Sequence, residues 1–156
     1  MGSPPPAPGA GRRIGSGAVF RDPSGRVLLV DPVYKDPWEI PGGTVEEGES
    51  PRTCCRRELE EELAWTGELG RLLVVDWLPD LGARGDRILF LFDGGVVDEG
   101  FAERAILPPE ELREARFVAV EDLDDFLGPG MVRRVRESLG HAAAGTTGYL
   151  EFGHPS

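Results

Sequence analysis

Short apolar runs, separated by clusters rich in glycine and proline, set the pattern of this chain. Ile14 to Arg21 (IGSGAVFR) and Arg26 to Asp31 (RVLLVD) read as strands, and the Asp22-Pro23-Ser24-Gly25 between them has the composition of a turn. The two predict a hairpin-like pair. A shorter run, Trp38-Glu39-Ile40, leads into Pro41-Gly42-Gly43, which predicts a tight turn because glycine reaches backbone angles that other residues avoid. Arg71 to Leu78 (RLLVVDWL) and Arg87 to Phe92 (RILFLF) are further strands. The second is apolar enough to predict a central strand covered on both faces, ending at a turn over Asp93-Gly94-Gly95. A weak strand over Arg104 to Leu107, a helical turn over Glu110 to Arg113 and a strand over Arg116 to Val120 follow. Thr146 to Phe152 is expected to form an edge strand or to contact a second subunit.

Helical spacing marks three segments. Ser50-Pro51 is a start signal, since Ser50 can cap and Pro51 loses nothing at the first helical position. From there to Leu63 nothing breaks the helix, and Cys55, Leu59 and Leu63 recur every four residues as its core side. Glu121 to Leu127 predicts a short acidic helix, ended by Gly128-Pro129-Gly130. Met131 to Ala144 predicts an amphipathic helix, with Met131, Val132, Val135 and Leu139 inward and Arg133, Arg134 and Arg136 outward. Residues 1–13, rich in Pro, Gly and Ala, are expected to be a disordered tail, and residues 14–156 one domain. Strands and helices alternate irregularly, which argues for an α/β fold: a mixed sheet with helices on both faces.

The first helix carries unusual charge. Glu58, Glu61 and Glu62 stand at i, i+3 and i+4 and share one face, where like charges repel by roughly 0.2–0.5 kcal/mol per pair. They lie toward the C-terminal end, where the helix dipole disfavours anions. A solvated acidic face accounts for such a run in the ordinary case. Converging carboxylates would instead suit a hard divalent cation, which takes oxygen ligands, and carbonyls beside Gly42 and Gly43 could add one more.

The net charge of −11 disfavours non-specific nucleic-acid binding and would repel a polyphosphate unless cations mediate. No apolar run is long enough to span a bilayer, and the N-terminus has no segment of the signal-peptide kind, so a cytoplasmic protein is expected. The only cysteines, Cys54 and Cys55, are adjacent and suit neither a disulfide framework nor a zinc site. There is no Gly-x-Ser-x-Gly elbow and no Walker-type phosphate loop.

The stretch Gly43, five residues, Glu49, seven residues, then Arg57-Glu58-Leu59-x-Glu61-Glu62 resembles the 23-residue box of the Nudix hydrolase family, here Gly43 to Trp65. The family's pattern has glycine where this chain has Ala64 and an aliphatic residue where it has Trp65. The Trp-Glu-Ile-Pro-Gly-Gly entry, the run Arg87 to Phe92 and the Arg116-Phe117-Val118 segment extend the likeness over roughly Ile14 to Leu139. The resemblance implies an α/β/α sandwich around a central mixed sheet. It also implies hydrolysis of a diphosphate bond in a nucleoside diphosphate linked to another moiety, with Mg²⁺, or Mn²⁺ in its place. Glu58, Glu61 and Glu62 are the expected ligands, with the Gly42 carbonyl as an addition. The general base is expected to be a box glutamate or one from a later loop, where Glu111 and Glu114 are the candidates. Arg57 is expected to orient the glutamates, and Glu49 to stabilise the loop. A small-molecule nucleotide is the expected partner and a homodimer is possible. Among substrates, a MutT-like nucleoside triphosphate pyrophosphatase stands slightly ahead of an ADP-ribose or nucleotide-sugar pyrophosphatase. A non-catalytic nucleotide-sensing module is the reading from a different class. The Tyr34-Lys35 loop reads as ordinary surface, with a pocket wall as the alternative.

Overall fold

The computed structural model describes residues 12–80 and 85–156. The expected tail, apart from Arg12 and Arg13, lies outside those residues. Strand β1 (Arg13–Arg21) runs through the middle of the molecule. Its side chains alternate between two cores: Val19 packs on one side, Ala18 and Phe20 on the other. β2 (Val27–Pro32) does the same, with Val27 and Leu29 against Leu28 and Val30. Ala18 to Phe20 and Val27 to Val30 read as unbroken apolar runs because both faces of the sheet are covered there.

The remaining elements are β3 (Gly42–Thr44), α1 (Pro51–Leu63), β4 (Leu72–Leu78), β5 (Arg87–Val96), α2 (Phe101–Arg104), β6 (Leu112–Val118), a 3₁₀ turn (Val120–Asp125), α3 (Pro129–Ala144), β7 (Gly148–Glu151) and β8 (His154–Pro155). One mixed sheet runs in the order β6-β2-β1-β5-β4-β7-β8, with β3 added beside β1. The β1–β5 and β4–β7 pairs are parallel; the rest are antiparallel. Cys55, Leu59 and Leu63 of α1 cover one face, and Val132 and Val135 of α3 the other. The fold is the expected α/β/α sandwich. The two cysteines are buried free thiols, and burial pushes each up to about 12.

Four local expectations need correction. Gly42 and Gly43 do not turn; they pair with Gly17 and Ser16 of β1. A Cβ at Gly42 would strike the Ser16 carbonyl and the Gly17 Cα, so glycine serves close backbone approach here. β5 does not stop at Asp93 but continues to Val96, through an irregularity where Gly95 has φ +83°. The weak strand at Arg104 is the end of α2; Phe101, Ala102, Ala105 and Leu107 pack on the core instead of joining a ladder. The helical turn at Glu110 is cut short, because β6 begins at Leu112 and pairs with β2. Thr146 to Phe152 does supply a strand, β7, but not the outermost one: it pairs with β4 of the same chain on one side and with the short β8 on the other.

The two departures from the box pattern fall at the exit of α1. Ala64 takes the left-handed conformation (φ +54°, ψ +32°) and its N–H donates to the Glu60 carbonyl, while Trp65 N–H reaches Leu59. That is the geometry a glycine adopts freely. Trp65 then packs edge-on against Phe20, with ring centroids 5.1 Å apart, filling the place of an aliphatic residue. Ala64→Gly is expected to stabilise the protein by about 0.5–1 kcal/mol, the left-handed penalty on alanine outweighing the extra freedom glycine gives the unfolded chain. Urea unfolding of the two forms checks this.

Candidate active site

Helix α1 starts as the sequence predicts: Ser50 Oγ accepts from Thr53 N–H at 3.1 Å, with Pro51 in the first turn. Its rotation is set by burial of Cys55, Leu59 and Leu63, which turns Glu58 and Glu62 toward β3. The Glu62 side chain is almost enclosed, and its Oε2 accepts the Gly42 N–H at 3.2 Å. The Glu58 carboxylate lies against Gly43, where any Cβ would collide with it. Glu61 is half exposed.

Arg57 ties this helix to the loop before it. Its guanidinium grips Glu49 with two bonds, at 2.7 and 2.9 Å, and reaches Glu58 at 3.0 Å and Glu61 at 3.4 Å. The hydrogen bonds from Arg57 hold Glu49 down to about 2, against the ordinary 4.5. A depressed carboxyl stabilises the fold above its unfolded value and loses that contribution as pH falls through its folded value. Wild type is therefore expected to lose stability between about pH 4.5 and 2 more steeply than Glu49→Gln. Denaturant titrations across that window measure the difference.

The other glutamates move the opposite way. Burial, then the neighbouring charge of Glu58, pushes Glu62 up to about 9. Burial also raises Glu58, with Arg57 opposing. Glu111, in the turn before β6, adds negative field at both positions, and Glu39 adds to it at Glu62. Glu114 stands apart, on β6, paired with Arg116 at 2.8 Å. Of the two loop candidates, the fold brings only Glu111 into the field of the box glutamates.

Among the described residues no three Asp, Glu, His or Cys side chains form a ready metal cage. A closed cage is not required for Mg²⁺, which keeps several waters and uses one or two carboxylates. The donors fit it: an enclosed, hard-oxygen carboxylate raised to about 9 lacks a cation beside it. Arg57, five residues earlier on the same helix, is committed first to Glu49.

A cavity of about 330 Å³ is lined by Gly42, Gly43 and Thr44, the strand that Glu58 and Glu62 meet, though not by those carboxylates themselves. Tyr34 and Lys35 form part of its wall, so their loop is not plain surface. Tyr34 Oη donates to Glu39 Oε1 at 3.0 Å and Lys35 Nζ lies 2.9 Å from Glu39 Oε2. Arg134 corrects a further expectation. It does not face outward from α3: it is buried, lines the cavity and pairs with buried Asp76 of β4. An acid inside the apolar run of β4 was the one signal of this pair.

A mixed-sheet sandwich with an Arg-tied glutamate helix beside a glycine strand is the architecture that the box resemblance implies. The chain belongs to the NUDIX domain family, whose model matches residues 11–141. Over 48 residues it is 50% identical to "Diphosphoinositol polyphosphate phosphohydrolase 2" of Rattus norvegicus, a match covering 30% of this chain and 27% of that protein. Over 59 residues it is 41% identical to "Putative ADP-ribose pyrophosphatase YjhB" of Bacillus subtilis, covering 38% and 27%. The matches thus span about a quarter of those relatives' length. The fold is similar to that of a MutT protein from Methanosarcina mazei Go1, with TM-score 0.68 and 21% identity, over 92% of this chain and 99% of that one.

Proposed function

We propose that this Nudix hydrolase splits the diphosphate bond of a nucleoside diphosphate linked to another moiety, at the face of α1 that meets β3. The observation that carries the reading is Glu62, enclosed beside Gly42 with its charged form disfavoured. Glu58, Glu61 and Glu62, with the Gly42 carbonyl, would hold Mg²⁺, or Mn²⁺ in its place. The ion supplies charge neutralisation on the phosphoryl oxygens and lowers the pKa of bound water. Arg57 positions Glu58 and Glu61 through its bonds to both and fixes the loop through Glu49. Glu111, rather than Glu114, takes the proton as water oxygen bonds to phosphorus and the bridging oxygen leaves with its electron pair. Gly42 to Thr44 join the carboxylates to the cavity, which receives the rest of the substrate.

Nucleoside triphosphates and nucleoside diphosphates carrying a second moiety both suit this arrangement. The cavity favours the second group, and the name of the Bacillus relative points the same way. A panel of nucleoside triphosphates, ADP-ribose, dinucleotides and nucleotide sugars, assayed with Mg²⁺, tests the proposal. Metal-dependent release of a mononucleotide from at least one is expected. No turnover of any would overturn it. Among the described residues no helix is long and apolar enough to cross a membrane.

A further inference from the structure

The far end of the cavity is cationic, although the chain carries net charge −11. Arg13 and Arg87 are direct partners in the parallel β1–β5 ladder, so their side chains leave the same face side by side. Both line the cavity. Among the described residues neither is ion-paired with a carboxylate. The nearest acid in sequence, Asp86, is already taken by Arg12 at 3.1 Å and by the Trp77 indole at 2.9 Å. Arg134 approaches from α3; its charge is answered by Asp76, and Arg87 is close enough to disfavour it. Lys35 and Glu39 cancel one another at the near end. Two uncompensated arginines remain, next to a third.

Their place in the ladder separates them from the carboxylates. Glu62 meets the sheet at Gly42, opposite Gly17. Arg13 lies four residues up the same strand, roughly 13 Å away at about 3.3 Å per residue. A diphosphate held at Glu58 and Glu62 is too short to reach it. Between the two ends the cavity is lined by Gly15, Gly17, Leu89 and Leu91, with the Leu89 side chain packed over Gly15. Arginine forks suit carboxylate and phosphate oxygens.

Building on the proposed hydrolase reading, we infer that Arg13 and Arg87 form a subsite for a second anionic group. The preferred substrate then carries a carboxylate or phosphate on the moiety that enters the cavity, beyond the diphosphate that is cut.

Two matched pairs test this and separate the two anions: UDP-glucuronate against UDP-glucose, and NADPH against NADH. Wild type is expected to favour the anionic member of at least one pair about tenfold or more in kcat/KM, the scale of a hydrogen bond to a charged group. The ratio should fall toward one in Arg87→Gln and in Arg13→Gln. Ratios near one in wild type for both pairs, or a preference untouched by both variants, would overturn the subsite. Calorimetry with the same pairs reads the preference without turnover. Binding preference without hydrolysis would sink the hydrolase reading and leave the subsite standing. Hydrolysis without preference would do the reverse.

Discussion

Glu62→Gln is expected to lower kcat/KM by roughly 10²–10³-fold, since losing several kcal/mol of charge stabilisation at phosphorus costs about a factor of ten per 1.4 kcal/mol. The same substitution is expected to stabilise the metal-free protein. Glutamine keeps an acceptor for the Gly42 N–H but carries no charge into an enclosed position. The sign follows from linkage. Burial raises the Glu62 carboxyl from the ordinary 4.5 to about 9. Unfolded chains ionise first, so the wild type loses stability as pH rises from about 4.5 to about 9. One pH unit of such a shift is worth about 1.4 kcal/mol, so a gain above that size is expected for Glu62→Gln at pH 8. Mg²⁺ should raise the melting temperature of wild type more than that of the variant. Activity assays and thermal melts at pH 5 and pH 8 check all three. A variant both inactive and less stable would assign Glu62 a structural role instead.

That opposition of activity and stability explains why the box helix was so legible. The capping serine, the proline after it and the four-residue repeat of Cys55, Leu59 and Leu63 are local signals, and all act within α1. The carboxylates stood out because they were wrong for a free helix. Strands β1 and β2 were equally plain, since both their faces are buried. The failures have one physical cause: they depend on partners distant in sequence. Gly42 and Gly43 look like a turn unless β1 is known to lie against them. β5 looks finished at Asp93-Gly94-Gly95 unless the parallel ladder with Val19 and Phe20 is known to continue. Arg134 sits at i+3 from Met131, on the inner stripe of α3, but its charge argued for solvent while Asp76, 58 residues earlier, was out of view. The cationic end of the cavity was hidden for the same reason, because only the β1–β5 register puts Arg13 beside Arg87.

The Arg134–Asp76 pair carries the largest expected effect on stability. Asp76 is wholly buried and Arg134 nearly so. Asp76 Oδ2 accepts from Arg134 Nε, and Oδ1 accepts the Gly153 N–H at 3.1 Å, fastening the β7–β8 hairpin to β4. Removing the acid leaves a buried guanidinium with no countercharge and a backbone N–H with no acceptor. Asp76→Ala is therefore expected to cost about 3–5 kcal/mol. For a chain of this length that lowers the melting temperature by roughly 6–20 °C. The double variant Asp76→Leu with Arg134→Met should recover much of the loss, because desolvating two charges costs about as much as their attraction returns. Recovery would show that the single variant suffers from an orphaned charge rather than from lost packing. A double variant no more stable than Asp76→Ala would place the cost in the hairpin anchor at Gly153. Its affinity for anionic ligands separates a purely structural pair from one whose arginine also serves the cavity: loss of preference on restored stability would mean that the Arg134 guanidinium itself contributes to anion binding.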